Sequence, residues 1–399
     1  IIAVNAGSSS LKFQLFEMND ESVIASGVVE RIGFEDAIFT LKFNGEKFEK
    51  TLPIPDHKKG VELLLESLIE HHVVESLNEI QGVGHRIVQG GDLFSDSVIF
   101  DQNVANGIAS IANLAPLHNQ AHLTGYYAFK EAMPGVGHVA VFDTAFHSTM
   151  APETYLYAVP YEYYEKNHVR RYGFHGSSHR YVSGRCIELM GNPEHSKIIV
   201  CHLGAGGSLC AVKDGKSINT SMGLTPLAGI MMGSRCGEID PSVVTFIMSE
   251  TGETASRMDT IMNKESGLLG VSGVSSDYRD VEAAANEGNE RAQIALKIFA
   301  RRVADFIGSY YVQLGGVDAI CFTAGIGENS FTARANIINE IKDALGVEID
   351  EEANRSREPD RLISTPNSKV KVYVIPTNEE LVIARDTKLV VNHFQYEKW

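Results

Sequence analysis

The feature that most constrains the fold of this chain is a short Gly/Ser motif that occurs twice, each time between two strand-like runs. Near the start, the apolar run 2–5 leads into the segment 6–11, AGSSSL, and midway the run 198–202 leads into the segment 204–209, GAGGSL. Small residues between two strand runs predict a tight β-hairpin. One copy alone would pass as an ordinary glycine-rich turn. Two copies, with their backbone N–H groups and serine hydroxyls, indicate a pair of phosphate-binding hairpins.

Length and charge restrict the class of protein. The chain has 399 residues with 44% hydrophobic residues, which favours two domains with substantial cores. Its net charge of −16 argues against nucleic acid or an anionic membrane as a partner, so an anionic substrate needs locally placed Arg, Lys, metal or backbone dipoles. The five cysteines lack C-x-x-C spacing, and no apolar run or leader-like segment indicates export. We therefore expect a cytoplasmic protein.

The predicted elements occur in a similar order in both halves of the chain. The first half reads as two hairpin strands, strands 22–29 and 37–43, helix 58–72, strand 84–88, helix 119–131 and strand 138–142. The second half reads as helix 178–190, the second hairpin, helices 242–250 and 291–314, strand 319–322, a helix from about 331, strand 370–375 and a last helix. This pattern predicts an α/β fold with two duplicated domains, 1–147 plus 381–399 and 148–380. We expect a nucleotide cleft between them and a hinge near 142–151.

Two familiar nucleotide-binding motifs are excluded. Segment 7–12 contains Lys12 but lacks the second glycine of a P-loop, and a strand follows it. Gly325 and Gly327 lie between a strand and a helix, but Ser330 replaces the third glycine of a dinucleotide fingerprint. A helix that begins after Gly327 could still face a nucleotide phosphate.

Several motifs together identify a family. They are NAGSSSLK (5–12), GHRIVQGG (84–91), FDTAFH (142–147), YGFHG (172–176), MGSRCG (232–237), TAGIGENS (323–330) and PTNEE (376–380). With these motifs in this order, the chain resembles the acetate kinase family. The resemblance implies duplicated ribonuclease-H-like, actin-like ATPase domains with mixed sheets flanked by helices, and a homodimer. It also implies reversible, Mg²⁺-dependent, in-line phosphoryl transfer from ATP to acetate, which gives acetyl phosphate and ADP.

The basic residues of these motifs suit phosphoryl transfer, which depends on neutralising charge at the transferred group. Arg86 lies at the end of an apolar strand and Arg235 lies between two glycines, and both are poor positions for a solvated charge. By resemblance, Arg86 binds the acetate carboxylate or the acyl phosphate, while Arg235 and His175 stabilise the phosphoryl group. His175 and His179 have zinc-like spacing, but the glutamate of H-E-x-x-H is absent and a glycine follows His175, so zinc is disfavoured.

The resemblance assigns the metal site to Asn5 and Glu379, with Mg²⁺ as the ion and Mn²⁺ as an alternative. Oxygen ligands of this kind suit a hard cation. Asp143 is implied as a catalytic acid/base or as a carboxylate that orients the metal. Because acetate is already ionised at pH 7, a general base is not required in the forward direction, which favours the orienting role.

The remaining site residues are also implied by the resemblance. The acyl pocket comprises Val88, Leu117, Phe174 and Pro226, and Val88 is expected on the same strand face as Arg86. The nucleotide contacts are Lys12, His202, Leu203, Gly204, Ala205, Gly206, Asp277, Tyr278, Arg279, Gly325, Ile326, Gly327, Glu328 and Asn329.

The chain departs from the usual family pattern at a few positions. Ala205 stands where the family usually has Asn, Gln89 where it often has His, and Tyr278 where Phe is common. The first change removes a side-chain amide beside the phosphates. Two other activities stay open: a propionate kinase, since one methylene gives only about 1–3 kcal/mol of discrimination, and a non-metabolic ATPase of the actin or chaperone type.

Overall fold

The computed structural model describes residues 1–397 and separates into two compact units. One unit contains residues 1–146 and those from Asn378 onward, and the other contains His147–Thr377. The first unit is built on an eight-stranded mixed sheet with the order β5-β4-β3-β2-β1-β6-β8-β7. Its strands are β1 (Ile2–Ala6), β2 (Leu11–Glu17), β3 (Ser22–Glu30), β4 (Ala37–Phe43), β5 (Glu46–Leu52), β6 (Gly82–Ile87), β7 (Val98–Ile99) and β8 (Gly137–Phe142).

Helices cover this sheet. They are α1 (His57–Glu70), α2 (Gln102–Ser110) and α3 (Asn119–Ala132), with 3₁₀ helices at Leu77–Glu79, Ala112–Leu114 and Ala145–Thr149. Asp56 is the N-cap of α1, and its carboxylate accepts a hydrogen bond from the backbone N–H of Lys59. The apolar face of α1 packs into the same core as Leu11, Phe13 and Leu15 of β2, which alternate with less buried residues as a half-buried strand requires.

The second unit contains a six-stranded mixed sheet with the order β11-β10-β9-β12-β14-β13. Its strands are β9 (Lys197–Leu203), β10 (Gly207–Lys213), β11 (Lys216–Thr220), β12 (Ala319–Thr323), β13 (Arg361–Leu362) and β14 (Lys371–Val374). Its helices are α4 (Pro152–Tyr155), α5 (Glu162–Asn167), α6 (Gly176–Leu189), α7 (Ser242–Thr251), α8 (Ala255–Lys264), α9 (Gly267–Ser272), α10 (Tyr278–Asn286), α11 (Glu290–Leu314), α12 (Ala324–Asn329), α13 (Phe331–Leu345) and α14 (Glu351–Arg355).

The two sheets share a topology. In each, an antiparallel meander (β1–β2–β3 or β9–β10–β11) is followed by two parallel strands beside the first one (β6 and β8, or β12 and β14). The Gly/Ser motifs form the first turn of each meander, as predicted. The predicted fold class of duplicated α/β domains with mixed sheets flanked by helices is confirmed.

The last helix, α15 (Glu379–Glu397), returns to the first unit and packs on β6 and β8. The close approach depends on Gly84 of β6, because a Cβ atom there would overlap Thr387 and Ile383 of the helix. The side chain of Asn378 accepts a hydrogen bond from the backbone N–H of Leu381 at 3.2 Å and caps the first turn. This packing fixes the start of α15 relative to β6.

Some predicted elements differ from those observed. Strand β6 ends at Ile87, so Val88 lies beyond the strand, and the argument that it shares a strand face with Arg86 is wrong. The glycine-rich segment after β12 forms the short helix α12, so helical structure begins at Ala324 rather than at about 331. Within residues 1–397, none of the helices has both the length and the apolar character needed to cross a membrane.

Candidate active site

An ion pair joins the carboxyl ends of two neighbouring parallel strands in the first unit. Arg86 lies near the end of β6, and Asp143 directly follows β8, whose Phe142 pairs with Ile87. The guanidinium Nε donates to Asp143 Oδ1 at 3.1 Å and Nη2 donates to Oδ2 at 2.7 Å. The Arg86 side chain is 28% exposed and that of Asp143 only 3%. The charge of Asp143 raises the pKa of Arg86, and the pair is fixed at two points.

Glu379 places a second carboxylate near this pair. It is the first residue of α15 and is half-buried. Burial, together with the charge of Asp143, raises the pKa of Glu379 to about 7, although the charge of Arg86 opposes the change. Because Asn378 already caps the helix, Glu379 is not needed as the cap. None of its contacts within residues 1–397 is a salt bridge, so its charge is poorly compensated.

Asn5 and Glu379, which the family resemblance assigns to a metal site, both belong to the first unit. Asn5 lies on β1 opposite the exposed Lys12 of β2, and its amide makes no hydrogen bond within the described residues. No cluster of three or more His, Cys, Asp or Glu side chains with metal-binding geometry occurs in residues 1–397. Mg²⁺ usually takes one or two carboxylates and completes its shell with water and phosphate oxygens. Asn5 and Glu379 carry oxygen donors of the kind that Mg²⁺ takes, and their role as metal ligands stays a prediction.

The segment that follows β6 is held by buried hydrogen bonds. Asn119 Nδ2 donates to the backbone carbonyl of Gln89 at 3.0 Å, and the backbone N–H of Gly91 donates to Gln89 Oε1 at 2.7 Å. The Gln89 Nε2 atom is buried and has no partner within the described residues. Val88 is buried here, whereas Leu117 is 78% exposed. The first unit thus contains two of the predicted acyl-pocket residues in very different surroundings.

The second unit contains an uncompensated cation. Arg235 is half-buried, and its Nη1 donates to the backbone carbonyl of Pro226 at 3.1 Å. None of its contacts within residues 1–397 is with a carboxylate, and burial lowers the pKa of Arg235. A Cβ atom at Gly206 would lie 3.3 Å from Nη1, so the guanidinium rests against the tip of the second hairpin. A partly desolvated guanidinium beside glycine backbone is an anion-binding arrangement.

His175 precedes α6 in a left-handed backbone conformation, with φ 55° and ψ 24°. Its Nδ1 lies 2.8 Å from Ser208 Oγ, and its ring stacks on that of His202 with centroids 4.1 Å apart. Phe174 is buried, and its carbonyl accepts a hydrogen bond from His147 Nε2 at 2.9 Å. A non-glycine residue in the left-handed conformation costs about 1–3 kcal/mol of free energy. Residues in this conformation cluster at functional sites.

The two Gly/Ser bends differ in what their serines contact. Ser8 and Ser9 in the first bend are exposed, whereas Ser208 lies buried in β10 and contacts histidines. The backbone N–H of Gly204 donates to the carbonyl of Gly206 at 3.2 Å, so this N–H is already used within the turn. In the second bend, the Ser208 hydroxyl and the Gly204 N–H therefore already have partners within the protein, and phosphate binding by the two bends stays a prediction.

The predicted nucleotide contacts of the second unit have distinct local roles. Asp277 caps α10 and accepts hydrogen bonds from the backbone N–H of Arg279 at 2.9 Å and from its guanidinium at 2.7 Å and 3.1 Å. The Arg279 side chain is 89% exposed. Tyr278 is buried edge-on against Phe299, with ring centroids 5.3 Å apart. The ring of Tyr278 therefore packs in the core, and its predicted contact with the nucleotide stays a prediction.

Helix α12 carries the residues 325–329, among which Gly325 and Asn329 are exposed and Ile326 and Glu328 are half-buried. Sequence reasoning missed the residue that holds this helix, Arg334 of α13. Its fully buried guanidinium donates to the carbonyls of Gly327 at 2.9 Å and Glu328 at 3.2 Å, and burial lowers its pKa to about 10. Nothing in the sequence distinguishes Arg334 from an ordinary helical arginine.

Comparison with known proteins decides the family. The model of the acetokinase family matches residues 1–385. The chain belongs to the acetokinase family. It is 55% identical to the acetate kinase of Geobacillus kaustophilus over 393 residues, which is 98% of this chain and 99% of that protein. It is 54% identical to the acetate kinase of Bacillus subtilis over 387 residues, covering 97% and 98% of the two chains.

Solved structures agree with this family assignment. The crystal structure of Porphyromonas gingivalis acetate kinase superposes with a TM-score of 0.94 at 43% identity, covering 98% of this chain and 99% of that one. A propionate kinase from Francisella tularensis superposes with a TM-score of 0.91 at 40% identity, with the same coverage. The predicted acetate kinase family, and with it the prediction of an acetokinase-family phosphotransferase, is confirmed. The roles of the individual site residues stay predictions.

Proposed function

We propose that this protein catalyses reversible, Mg²⁺-dependent phosphoryl transfer from ATP to acetate, giving acetyl phosphate and ADP. The observation that carries the proposal is Arg235, a half-buried guanidinium that has no carboxylate partner within residues 1–397 and rests against Gly206. Such a cation is suited to the charge that develops on a phosphoryl group in transfer. The chemistry of this family supplies the anion that Arg235 lacks.

Arg86 is proposed to bind the acetate carboxylate. A guanidinium carries five N–H donors, and the contact with Asp143 uses one on Nε and one on Nη2. The remaining donors can bind a second carboxylate, while Asp143 keeps the guanidinium plane fixed. Acetate is ionised at pH 7, so one of its oxygens can attack the γ-phosphorus in line without a general base.

The other polar groups are proposed to stabilise the same transfer. Asn5 and Glu379 would hold a Mg²⁺ ion, with Asp143 orienting it, and the bound ion would neutralise phosphate charge. His175 and Arg235 donate hydrogen bonds to the equatorial oxygens of the transferred group. Adenosine and phosphate contacts come from Lys12, from 202–206, from 277–279 and from 325–329.

A homodimer is proposed because helix α7 exposes apolar side chains on its surface. No residue of α7 is buried, and Phe246 is 66% exposed and Val243 39% exposed, with Ile239 exposed just before the helix. Exposed apolar surface of this kind marks an association site. Light scattering should give twice the chain mass of 43.6 kDa, and Phe246→Asp should shift the mass toward one chain. A monomeric parent protein would contradict the dimer.

A reducing compartment, and hence the cytoplasm, is proposed from the cysteines. All five are free thiols, and Cys186, Cys201, Cys210 and Cys321 are buried. Burial raises the pKa of Cys201 above its usual value, which keeps this thiol protonated and unreactive. Such cysteines act as small core residues rather than as disulfide partners.

The activity is tested by trapping acyl phosphate with hydroxylamine in the presence of ATP and Mg²⁺. Acetate should give hydroxamate in proportion to ADP, and omission of Mg²⁺ should abolish the product. Release of ADP and phosphate without hydroxamate would contradict the proposal and favour an ATPase of the actin or chaperone type. The same assay with propionate and butyrate ranks the acyl substrates.

Propionate is the second candidate substrate, because a propionate kinase superposes with a TM-score of 0.91. Val88, Leu117, Phe174 and Pro226 are proposed to bind the acyl group. If Val88 limits the pocket, Val88→Ala should raise the propionate-to-acetate ratio of kcat/KM by up to about tenfold. An unchanged ratio with a lower melting temperature would assign Val88 to the core instead.

A further inference from the structure

A row of buried side chains lies behind His175 in the second unit. Ser208 Oγ is 2.8 Å from His175 Nδ1 and 2.8 Å from His179 Nε2, so the hydroxyl bridges the two imidazoles. Ser208 and His179 are both fully buried. The other ring nitrogen of His179, Nδ1, has no hydrogen-bond partner within the described residues.

His179 is electrically neutral in this position. Its ring is enclosed, and the rings of His147 and His202 lie 5.7 Å and 6.0 Å away. Burial, together with these two neighbouring histidines, lowers the pKa of His179 well below its usual value. The ring therefore carries one proton, on either Nδ1 or Nε2.

The hydrogen-bond network decides between the two nitrogens. If Nδ1 of His179 carried the proton, a buried N–H donor would have no acceptor, an arrangement that is rare in proteins. With the proton on Nε2, His179 donates to Ser208 Oγ and leaves only a lone pair without a partner. Ser208 has a single hydroxyl proton, which is then available to His175 Nδ1.

Two other arrangements of the protons on His179, Ser208 and His175 are less favourable. If Ser208 donated to His179 Nε2, the Nδ1–H of His179 would be the unpaired donor. If both histidines donated to Ser208, its hydroxyl proton would have no acceptor, because no further partner of Ser208 exists within residues 1–397. Each alternative leaves a buried donor unpaired, which costs about 1–3 kcal/mol.

We propose that Ser208 and His179 are positioning residues that fix the tautomer of His175, so that its Nδ1 accepts from Ser208 and its Nε2 carries the proton. The hydrogen bonds run in one direction, from His179 to Ser208 to His175. The consequence for catalysis rests on the proposed function. An Nε2–H donates to an anionic phosphoryl oxygen, whereas the other tautomer would present a lone pair to it and repel it.

The tautomers can be measured in the ligand-free protein, independently of activity. Long-range ¹H–¹⁵N correlation spectra of protein labelled with ¹⁵N-histidine distinguish protonated from unprotonated ring nitrogens. The signals of His175 and His179 are assigned from their absence in the His175→Gln and His179→Gln variants. We expect both rings as Nε2–H tautomers. An Nδ1–H tautomer at His175 overturns the proposal.

Variants of Ser208 then test the effect on turnover. Ser208→Ala should lower kcat about tenfold, the equivalent of one lost hydrogen bond, with KM for acetate within about twofold. Ser208→Thr retains the hydroxyl and should restore most of kcat and the Nε2–H signal. Ser183→Ala is the matched control, because Ser183 is also fully buried but its hydroxyl bonds only the backbone carbonyl of Arg180. Equal losses of kcat in Ser208→Ala and Ser183→Ala overturn the proposal.

The tautomer of His175 and the acetate kinase activity are tested by separate measurements. If the nitrogen signals show the expected tautomers but no hydroxamate forms from acetate, the proposed function fails and the tautomer assignment stands. If hydroxamate forms normally but His175 carries its proton on Nδ1, the positioning role fails and the function stands.

Discussion

Arg86 and Asp143 form a two-point ion pair, although 57 residues separate them in the chain. The pair exists because β6 and β8 are parallel neighbours, so their carboxyl ends lie side by side. It keeps a cation rigid at the position where acetate is proposed to bind. The pair therefore links the stability of the first unit to its chemistry.

The first prediction separates the effect of Arg86 on stability from its effect on catalysis. Arg86→Ala leaves the buried Asp143 carboxylate unpaired, which should cost about 3 kcal/mol of unfolding free energy and lower kcat at least about a hundredfold. Arg86→Ala combined with Asp143→Ala should recover most of the stability but none of the activity. Urea unfolding and hydroxamate formation measure the two effects. A single variant as stable as the parent protein would show that the ion pair is energetically unimportant.

Arg235 should behave in the opposite way. It has no carboxylate partner within residues 1–397, so Arg235→Ala should leave the melting temperature unchanged or raise it, while kcat falls about a hundredfold or more. Arg257→Ala, which breaks an exposed pair with Glu265, is the matched control and should retain normal kcat. Near-normal turnover of Arg235→Ala would remove this residue from the reaction.

Glu379 is tested by its metal dependence. Since Asn378 caps α15, Glu379→Gln keeps the helix start and removes only the charge. We expect the Mg²⁺ concentration for half-maximal activity to rise about tenfold or more, because a carboxylate ligand is replaced by an amide. The neighbouring Glu380→Gln is the control, since that side chain is exposed. Identical Mg²⁺ titrations of the two variants would exclude Glu379 as a ligand.

His122 predicts an acid limit to stability. Its Nδ1 bonds the carbonyl of Ala6 at 2.8 Å, and burial, with the nearby charge of Arg86, lowers its pKa to about 3. The unfolded chain binds this proton near pH 6.5, so folding stability is lost as the pH falls from about 6.5 toward 3. At pH 5 the loss from this group is about 2 kcal/mol.

His122→Asn should reduce this acid-sensitive loss, because an amide N–H can still donate to Ala6 and cannot be protonated in this range. Melting temperatures between pH 7 and pH 5 measure it. The exposed His72 gives the matched variant His72→Asn, whose pH dependence should equal that of the parent protein. Parallel curves for all three proteins would refute the role of His122.

The sequence predicted the architecture well because its strongest patterns are local. Glycine-rich bends between apolar runs and the long periodic helix α11 identified both hairpins and the core elements. Short or polar elements were missed: β11 is five residues long and mostly polar, and α12 contains two glycines. Local propensity does not distinguish such segments from turns.

For the candidate site, the sequence named candidate residues but did not predict which groups they contact. The motifs identified Arg86, Asp143 and Arg235, but their partners depend on strand order and loop packing, which no local pattern encodes. Ser208 illustrates the limit. Its place in the GGS segment suggested phosphate, and only the packing of α6 beside β9, the neighbour of β10, shows that its hydroxyl bridges two histidines.

The central claim is transfer of phosphate to an acetate oxygen, and an isotope measurement tests it. The protein is incubated with ATP, Mg²⁺ and acetate carrying ¹⁸O in both carboxylate positions, and the product is cleaved with hydroxylamine. Hydroxylamine attacks the carbonyl carbon, so the bridging oxygen leaves with phosphate, and ³¹P spectra should show one ¹⁸O in each phosphate released this way. Phosphate without ¹⁸O would mean that its new oxygen came from water, and would contradict the account.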